Sequence, residues 1–204
     1  RRHTRYPLVT GVQTCALPIC TVVVAGVSYA TVHDERQLAR RFSNINRDGA
    51  AAVVGVLHTN LGGVSVAHGN YAPSSESDLI SAPVDYWALG HVHKREVKPI
   101  GHNRYWAYSG NLQGRDAGEA EAKGALVVPI LGHGVGKPEF LALDTFRFAI
   151  LEIDCTGIAG LDGIAAKISA AATDLSSGRP LIVRANLRGP SDAHTAVKIG
   201  RAHV

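Results

Sequence analysis

The chain has 204 residues, of which 46% are hydrophobic and 19% charged, with a formal net charge of +4. That length suits one domain, or one domain and part of another, and no apolar run reaches the ~18 residues a membrane helix requires. Of the three cysteines, Cys15 and Cys20 fall in or beside an anomalous N-terminal stretch, which leaves Cys155, excludes a disulfide framework and suits a reducing compartment.

That stretch is RRHTRYPLVTGVQTCALPIC. Its basic start, apolar centre and Cys20 imitate an export signal. The apolar run is broken by Thr10, Gly11, Gln13 and Thr14, and bulky Ile19 stands where a small residue belongs. Residues 1–19 show no clear helical or strand period. Val9–Ile19 resembles a translated sequencing-library adapter, and Arg1–Arg5 resembles the upstream part of the same oligonucleotide. Ile199–Val204 resembles the reverse complement in another frame. Residues 1–19 and 199–204 are therefore expected to be adapter sequence. Without Arg1, Arg2, Arg5 and Arg201 the Lys+Arg count falls from 21 to 17, equal to the 17 acids. The positive charge then stops being an argument for nucleic acid or anionic membrane. The failed export signal leads us to expect a cytoplasmic protein.

Thr21–Tyr29 (TVVVAGVSY) is β-branched and apolar, the pattern of a buried strand. Glu35–Phe42 suggests a short charged helix. Ala50–Leu57 is a second buried strand running into His58-Thr59-Asn60, and a glycine-rich loop follows. Ser75–Ser81 predicts a helix capped by Ser74 or Ser75, with acids in its first turn. Tyr86–Leu89 is a third strand, ending at Gly90-His91-Val92-His93. Glu96–Ile100, Tyr105–Tyr108 and Ala125–Ile130 read as strands joined by tight turns. After Asp144, Phe146–Ile153, Gly160–Leu175 and Pro180–Leu187 form a β-α-β pattern, the start of a smaller module.

Two buried strands thus run into histidines: His58, then His91 and His93. Rigid strands hold ligands at their carboxyl ends, facing the crevice where open α/β sheets bind substrates. His91 and His93 alternate around Val92 and would share a face of an ideal strand. With a turn at Gly90 they would instead address two neighbouring metals. Neutral imidazole suits Mn, Fe, Ni or Zn. The competing reading is that a histidine at a strand end is a surface residue satisfied by hydrogen bonds.

DYWALGHVHKREV followed by YSGNLQGRD resembles the last signature of the calcineurin-like metallophosphoesterases. The branch resembled is the DNA-repair exonuclease group, SbcD/Mre11-like, and especially its YhaO-like members. VLHTNLGG, with GNYAP downstream, resembles the preceding motif. The likeness runs from Thr21 to Asp144 and continues more weakly through RPLIVRANLRGPSDAH, which resembles a strand of the family's cap. It implies an α/β fold: the C-terminal half of a four-layer metallophosphoesterase sandwich over residues 20–145, then the start of a small α+β capping domain over 146–198. It implies that His58 and His91 contribute to one metal and His93 to the other. Two divalent ions, most readily Mn, with Zn, Fe or Ni as alternatives, would polarise a phosphodiester and activate water. His68, Asn111, Gln113 and Arg115 become candidate substrate contacts, through phosphate or nucleic-acid backbone. For the GNLQGRD residues the competing reading is turn chemistry and a solvated arginine. Tyr86 and Trp87 are expected to be core.

The resemblance also implies DNA as substrate, an SbcC/Rad50-like or YhaN-like coiled-coil ATPase as partner, a homodimer of the complete protein and no membrane. The family's Asp-x-His, Gly-Asp and Gly-Asn-His motifs do not occur before His58, and His33-Asp34 lacks the preceding Gly-Asn. They carry the bridging aspartate and the catalytic histidine, so the catalytic residue is unknown and the chain is expected to be inactive alone. Two alternatives stand beside a DNA exonuclease: a calcineurin-like phosphoesterase acting on nucleotides or other small esters, and a non-catalytic interaction module. A half-domain would leave apolar sheet faces and strand edges uncovered, so poor solubility is expected.

Overall fold

The computed structural model describes residues 9–14, 21–28, 34–47, 49–62, 72–176 and 178–195, with the backbone alone for 9–14, 194 and 195. The described residues fall into two compact units, Arg1–Asn111 with Gly124–Leu141, and Leu112–Lys123 with Ala142–Val204.

In chain order the first unit contains β1 (Val9–Thr14), β2 (Thr21–Val27), a 3-10 turn over Leu38–Phe42, β3 (Ala52–His58), α1 (Glu76–Ser81), β4 (Tyr86–Gly90), β5 (Glu96–Gly101) and β6 (Arg104–Tyr108). The short strands β7 (Gly124–Val127), β8 (Ile130–Leu131), β9 (Gly134–Val135) and β10 (Glu139–Ala142) follow. The main sheet has six strands in the order β1-β2-β3-β4-β6-β5. β2, β3, β4 and β6 run parallel, with β1 and β5 antiparallel at the edges.

The main core lies on one face of this sheet. Val23 and Ala25 of β2, Val53 and Leu57 of β3, Trp87 and Leu89 of β4, and Trp106 and Tyr108 of β6 are buried there with Leu38, Phe42 and Leu79. The Trp87 ring lies so close to β3 that a Cβ on Gly55 would sit 2.7 Å from it. Phe42 packs on that ring with centroids 4.7 Å apart, and the indole N–H donates to the Leu79 carbonyl at 3.1 Å. On the other face Ala52, Tyr86, Ala107 and Val135 form a smaller cluster, while Val24 is 36% and Val56 45% exposed. At the amino ends of the central strands the Asp85 carboxylate accepts from the Val53 N–H at 2.7 Å and from Arg47 Nη1 at 3.0 Å.

The second unit contains β11 (Arg147–Asp154), α2 (Gly160–Ser176) and β12 (Leu181–Arg188). β11 and β12 pair in parallel over their whole length. Alternation along β11 turns Ala149, Leu151 and Ile153 inward, and Leu151 and Ile153 cluster with Cys155 and Ile164 of α2. Asp144 is fully buried and pairs with Arg147 at 2.5 Å and Arg179 at 3.6 Å. Among the described residues no helix is long and apolar enough to cross a membrane.

Several elements differ from the sequence reading. Glu35–Phe42 is only a 3-10 turn over Leu38–Phe42, because its buried residues Leu38, Ala39 and Phe42 form one short ridge instead of a repeating stripe. The stretch Ala125–Ile130 is two strands, since Pro129 cannot donate to a ladder. Residues 1–19 contain a strand after all: Val9–Thr14 pairs with the otherwise open edge of β2.

Candidate functional site

The histidines gather because of register. β3 and β4 are parallel neighbours in which His58 pairs with Gly90. The Thr59 N–H donates to the Gly90 carbonyl at 3.1 Å, extending the ladder one residue past β3. The residue after Gly90 is His91, so the His58 and His91 rings meet edge to face with centroids 5.3 Å apart. A Cβ on Gly90 would lie 3.0 Å from His58 Nδ1, so glycine leaves room for that ring.

β4 stops at Gly90. His91 and His93 therefore belong to the following loop and do not alternate along a strand. His91 has φ of +111°, a conformation that L residues rarely adopt and that tends to persist at functional sites. A second close approach holds this loop. Gly110 has φ of +76°, and a Cβ there would sit 2.7 Å from the His93 carbonyl. Partial desolvation, and then the nearby His93, lower the pKa of His58 and favour its neutral imidazole.

His91 and His93 line a cleft of ≈ 570 Å³, together with Asn60, Glu76, Glu96 and Lys98. Trp106 and Tyr108 also line it. Trp106 Nε1 donates to Glu76 at 3.1 Å, and the Lys98 ammonium lies 5.2 Å above the Trp106 ring. The Tyr108 hydroxyl donates to the Thr59 carbonyl at 2.8 Å and accepts from the Leu61 N–H at 3.1 Å. One buried phenol thereby pins the chain on both sides of Asn60. α1 starts at this cleft with a capping box: the Ser75 hydroxyl accepts from the Asp78 N–H, and Asp78 accepts from the Ser75 N–H.

His58 lies on a different groove, bordered by Val56, Ala88, Gly90 and Ser109 on the sheet face. His68 lies outside the described residues. Asn111 belongs to the first unit, where its carbonyl accepts from the Gly124 N–H at 3.1 Å. Gln113 and Arg115 belong to the second. The Gln113 amide donates to the Phe146 carbonyl at 2.9 Å and accepts from the Thr145 N–H at 3.0 Å. Arg115 Nη2 pairs with Glu119 at 2.7 Å. Tyr86 and Trp87 are buried, and Arg95 stacks its guanidinium 3.6 Å from the centre of the Phe140 ring.

A metal ion needs convergent donors, and a pair of ions needs anionic bridges between them. Among the described residues no group of three or more His, Cys, Asp or Glu side chains converges in this way. His58 and His91 offer adjacent imidazoles without a bridging carboxylate, so the described residues do not fit a complete two-ion centre. Sequence reading missed Asn60, Tyr108 and Gly110 as parts of the site. Asn60 stands directly after His58-Thr59, and Gly110 stands in Tyr108-Ser109-Gly110-Asn111. Neither reveals its role without the contacts.

No family model matches the chain. Over 137 residues it is 31% identical to the uncharacterized metallophosphoesterase YhaO of Bacillus subtilis (strain 168). The match covers 67% of this chain and 33% of that protein, so the chain spans about a third of its relative's length. The similarity supports a metallophosphoesterase family for the matched segment, and the mixed α/β architecture with its parallel sheet agrees with such a fold.

Proposed function

We propose that the chain is part of a metal-dependent phosphodiesterase that cleaves DNA, of the SbcD/Mre11-like kind. The observation that carries this reading is the apposition of His58 and His91, 5.3 Å apart at the carboxyl ends of two paired parallel strands, with His93 two residues on. Such strand ends are where open α/β sheets bind ligands. In the complete protein His58 and His91 would serve one divalent ion and His93 a second, Mn being the first choice. Bound ions would supply Lewis acidity toward the phosphoester and an activated water. The remaining ligands, including a bridging carboxylate, would come from polypeptide beyond this chain. The chain's own part is to hold neutral imidazoles rigidly and to shape the cleft beside them. Its second unit would begin the four-layer domain's cap, and a coiled-coil ATPase would be the partner.

The complete protein tests this. With Mn it should degrade DNA ends faster than mononucleotide esters, and His91→Ala should abolish turnover. Equal or greater activity on mononucleotide esters would favour a small-phosphoester hydrolase. The present 204 residues should show no metal-dependent turnover, and detectable turnover would refute that expectation.

A further inference from the structure

The exits of β3 and β4 are tied together by the bond from the Thr59 N–H to the Gly90 carbonyl. Thr59 follows His58 and Gly90 precedes His91, so the meeting of the two rings depends on how firmly Thr59 is held. Tyr108 supplies that hold from outside both strands. It lies on β6, beside Leu89 in the parallel ladder, and β4 stands between it and β3. Its hydroxyl reaches past β4 to the β3 exit, where it donates to the Thr59 carbonyl at 2.8 Å and accepts from the Leu61 N–H at 3.1 Å. Asn60, between these two bonds, adds no anchor through its side-chain nitrogen, which has no partner among the described residues.

The phenol itself is fixed. Tyr108 is 2% exposed, belongs to the main core and sets its ring against Trp106 edge to face, with centroids 5.8 Å apart. Burial above all raises its pKa, against the lowering effect of the Leu61 N–H, so the hydroxyl keeps the proton it donates. Beyond Tyr108 the chain runs through Ser109 to Gly110, which closely approaches the His93 carbonyl. The exit of β6 therefore touches the backbone that carries His58 and the backbone that carries His93. Side chains that act together must be held to within about 0.5 Å by groups whose own positions are locked. Without the hydroxyl, the Thr59 carbonyl and the Leu61 N–H would lose a partner, and the segment would shift to find others.

We propose that Tyr108 is a positioning residue: its hydroxyl braces the β3 exit across β4 and thereby sets the apposition of the His58 and His91 rings. It acts through the backbone of Thr59 and touches no substrate. This deepens the phosphoesterase reading and rests on it for the consequence in catalysis, though not for the geometry.

The test compares Tyr108→Phe with Thr59→Val in the 204-residue chain. Each removes one buried hydroxyl that anchors the same segment, since the Thr59 hydroxyl donates to the Ala72 carbonyl at 2.6 Å and lies 2.7 Å from the Ser74 hydroxyl. Both variants should lower the melting temperature. Only Tyr108→Phe should abolish the nuclear Overhauser effect between the His58 and His91 ring protons. In the wild type the Leu61 amide should exchange with solvent as slowly as the amides of β3, a measurement that needs no variant to fold. In the complete protein with Mn, Tyr108→Phe should lower kcat by about tenfold or more at unchanged KM. A ring contact or kcat kept at the wild-type value in Tyr108→Phe, an equal loss of the contact in Thr59→Val, or a Leu61 amide that exchanges like an exposed loop would each overturn the proposal. Absence of metal-dependent hydrolysis by the wild-type complete protein would instead sink the phosphoesterase reading and leave the ring contact to decide the role of Tyr108.

Discussion

Both units bury carboxylates against arginines, but they differ in the size of their apolar cores. Beneath the main sheet the first unit encloses Trp87, Phe42, Leu57 and Leu79, while partnered polar groups gather at the strand ends. The second has a thinner apolar layer of Leu151, Ile153, Cys155 and Ile164, and it buries a carboxylate, Asp144, between Arg147 and Arg179. A large aromatic core can hold a sheet in shape by area alone and spare its strand ends for ligands. A two-stranded sheet with one helix buries less apolar area, so its Asp144 pairs carry a larger share of its stability.

The contrast can be broken from either side. The largest effect should come from Trp87→Ala, which removes the fully buried ring against Phe42 and Gly55 and its bond to Leu79. It should destabilise the first unit by ~5 kcal/mol, the upper end for such truncations, as read from denaturant unfolding of its aromatic signal. Next comes Asp144→Asn, which leaves two arginines without their shared anion and should cost the second unit about 3 kcal/mol. This variant also carries a pH signature. Burial raises the Asp144 pKa, but the hydrogen bond from Arg147, a backbone bond from Lys123 and the charges of Arg147 and Arg179 outweigh it. The net pKa lies below the usual carboxylate range. A depressed folded-state pKa contributes stability above the unfolded value, near pH 4, and loses it as pH falls toward the folded value. Acid should therefore unfold the wild-type second unit more steeply than the Asp144→Asn protein. Hydrogen exchange across β11 and β12 at falling pH would read the difference, and identical profiles would deny Asp144 this role. The smallest effect belongs to Arg115→Ala. Its exposed pair with Glu119 should leave the melting temperature within error, since solvent screens such pairs. A clear drop would make the GNLQGRD loop part of what stabilises the second unit.

Much of the scaffold was legible from local pattern. Thr21–Tyr29 and Ala50–Leu57 read as buried strands because β-branched apolar residues fit a pleated interior, and β2 and β3 form there, although Val24 and Val56 leave their second face partly exposed. A serine cap, Ser74 or Ser75, was readable because a serine before an acidic turn satisfies the first N–H groups, and Ser75 is the one that closes the box. The β-α-β pattern after Asp144 likewise appears as β11, α2 and β12. Val9–Thr14 escaped because its pairing depends on the open edge of β2 and not on any period of its own.

The site was legible only in part. His58, His91 and His93 stood out as residues at strand ends, and two of them do meet. Whether His91 and His93 shared a strand face was undecidable, because it turned on one backbone angle, the +111° at His91. Asn60 carried no signal at all. Its interest lies in a missing partner and in a tyrosine hydroxyl 48 positions further along the chain.

The sequence by itself determined most of the central strands and both α-helices, and that histidines follow two of the strands, because side-chain shape and periodicity act over a few residues. The tertiary structure alone decided that His58 faces Gly90, that Gly110 makes room for the His93 carbonyl, and that the buried Asn60 side-chain nitrogen is left without a partner among the described residues. Those outcomes depend on strand register and on contacts between distant segments, where a shift of one residue changes every neighbour.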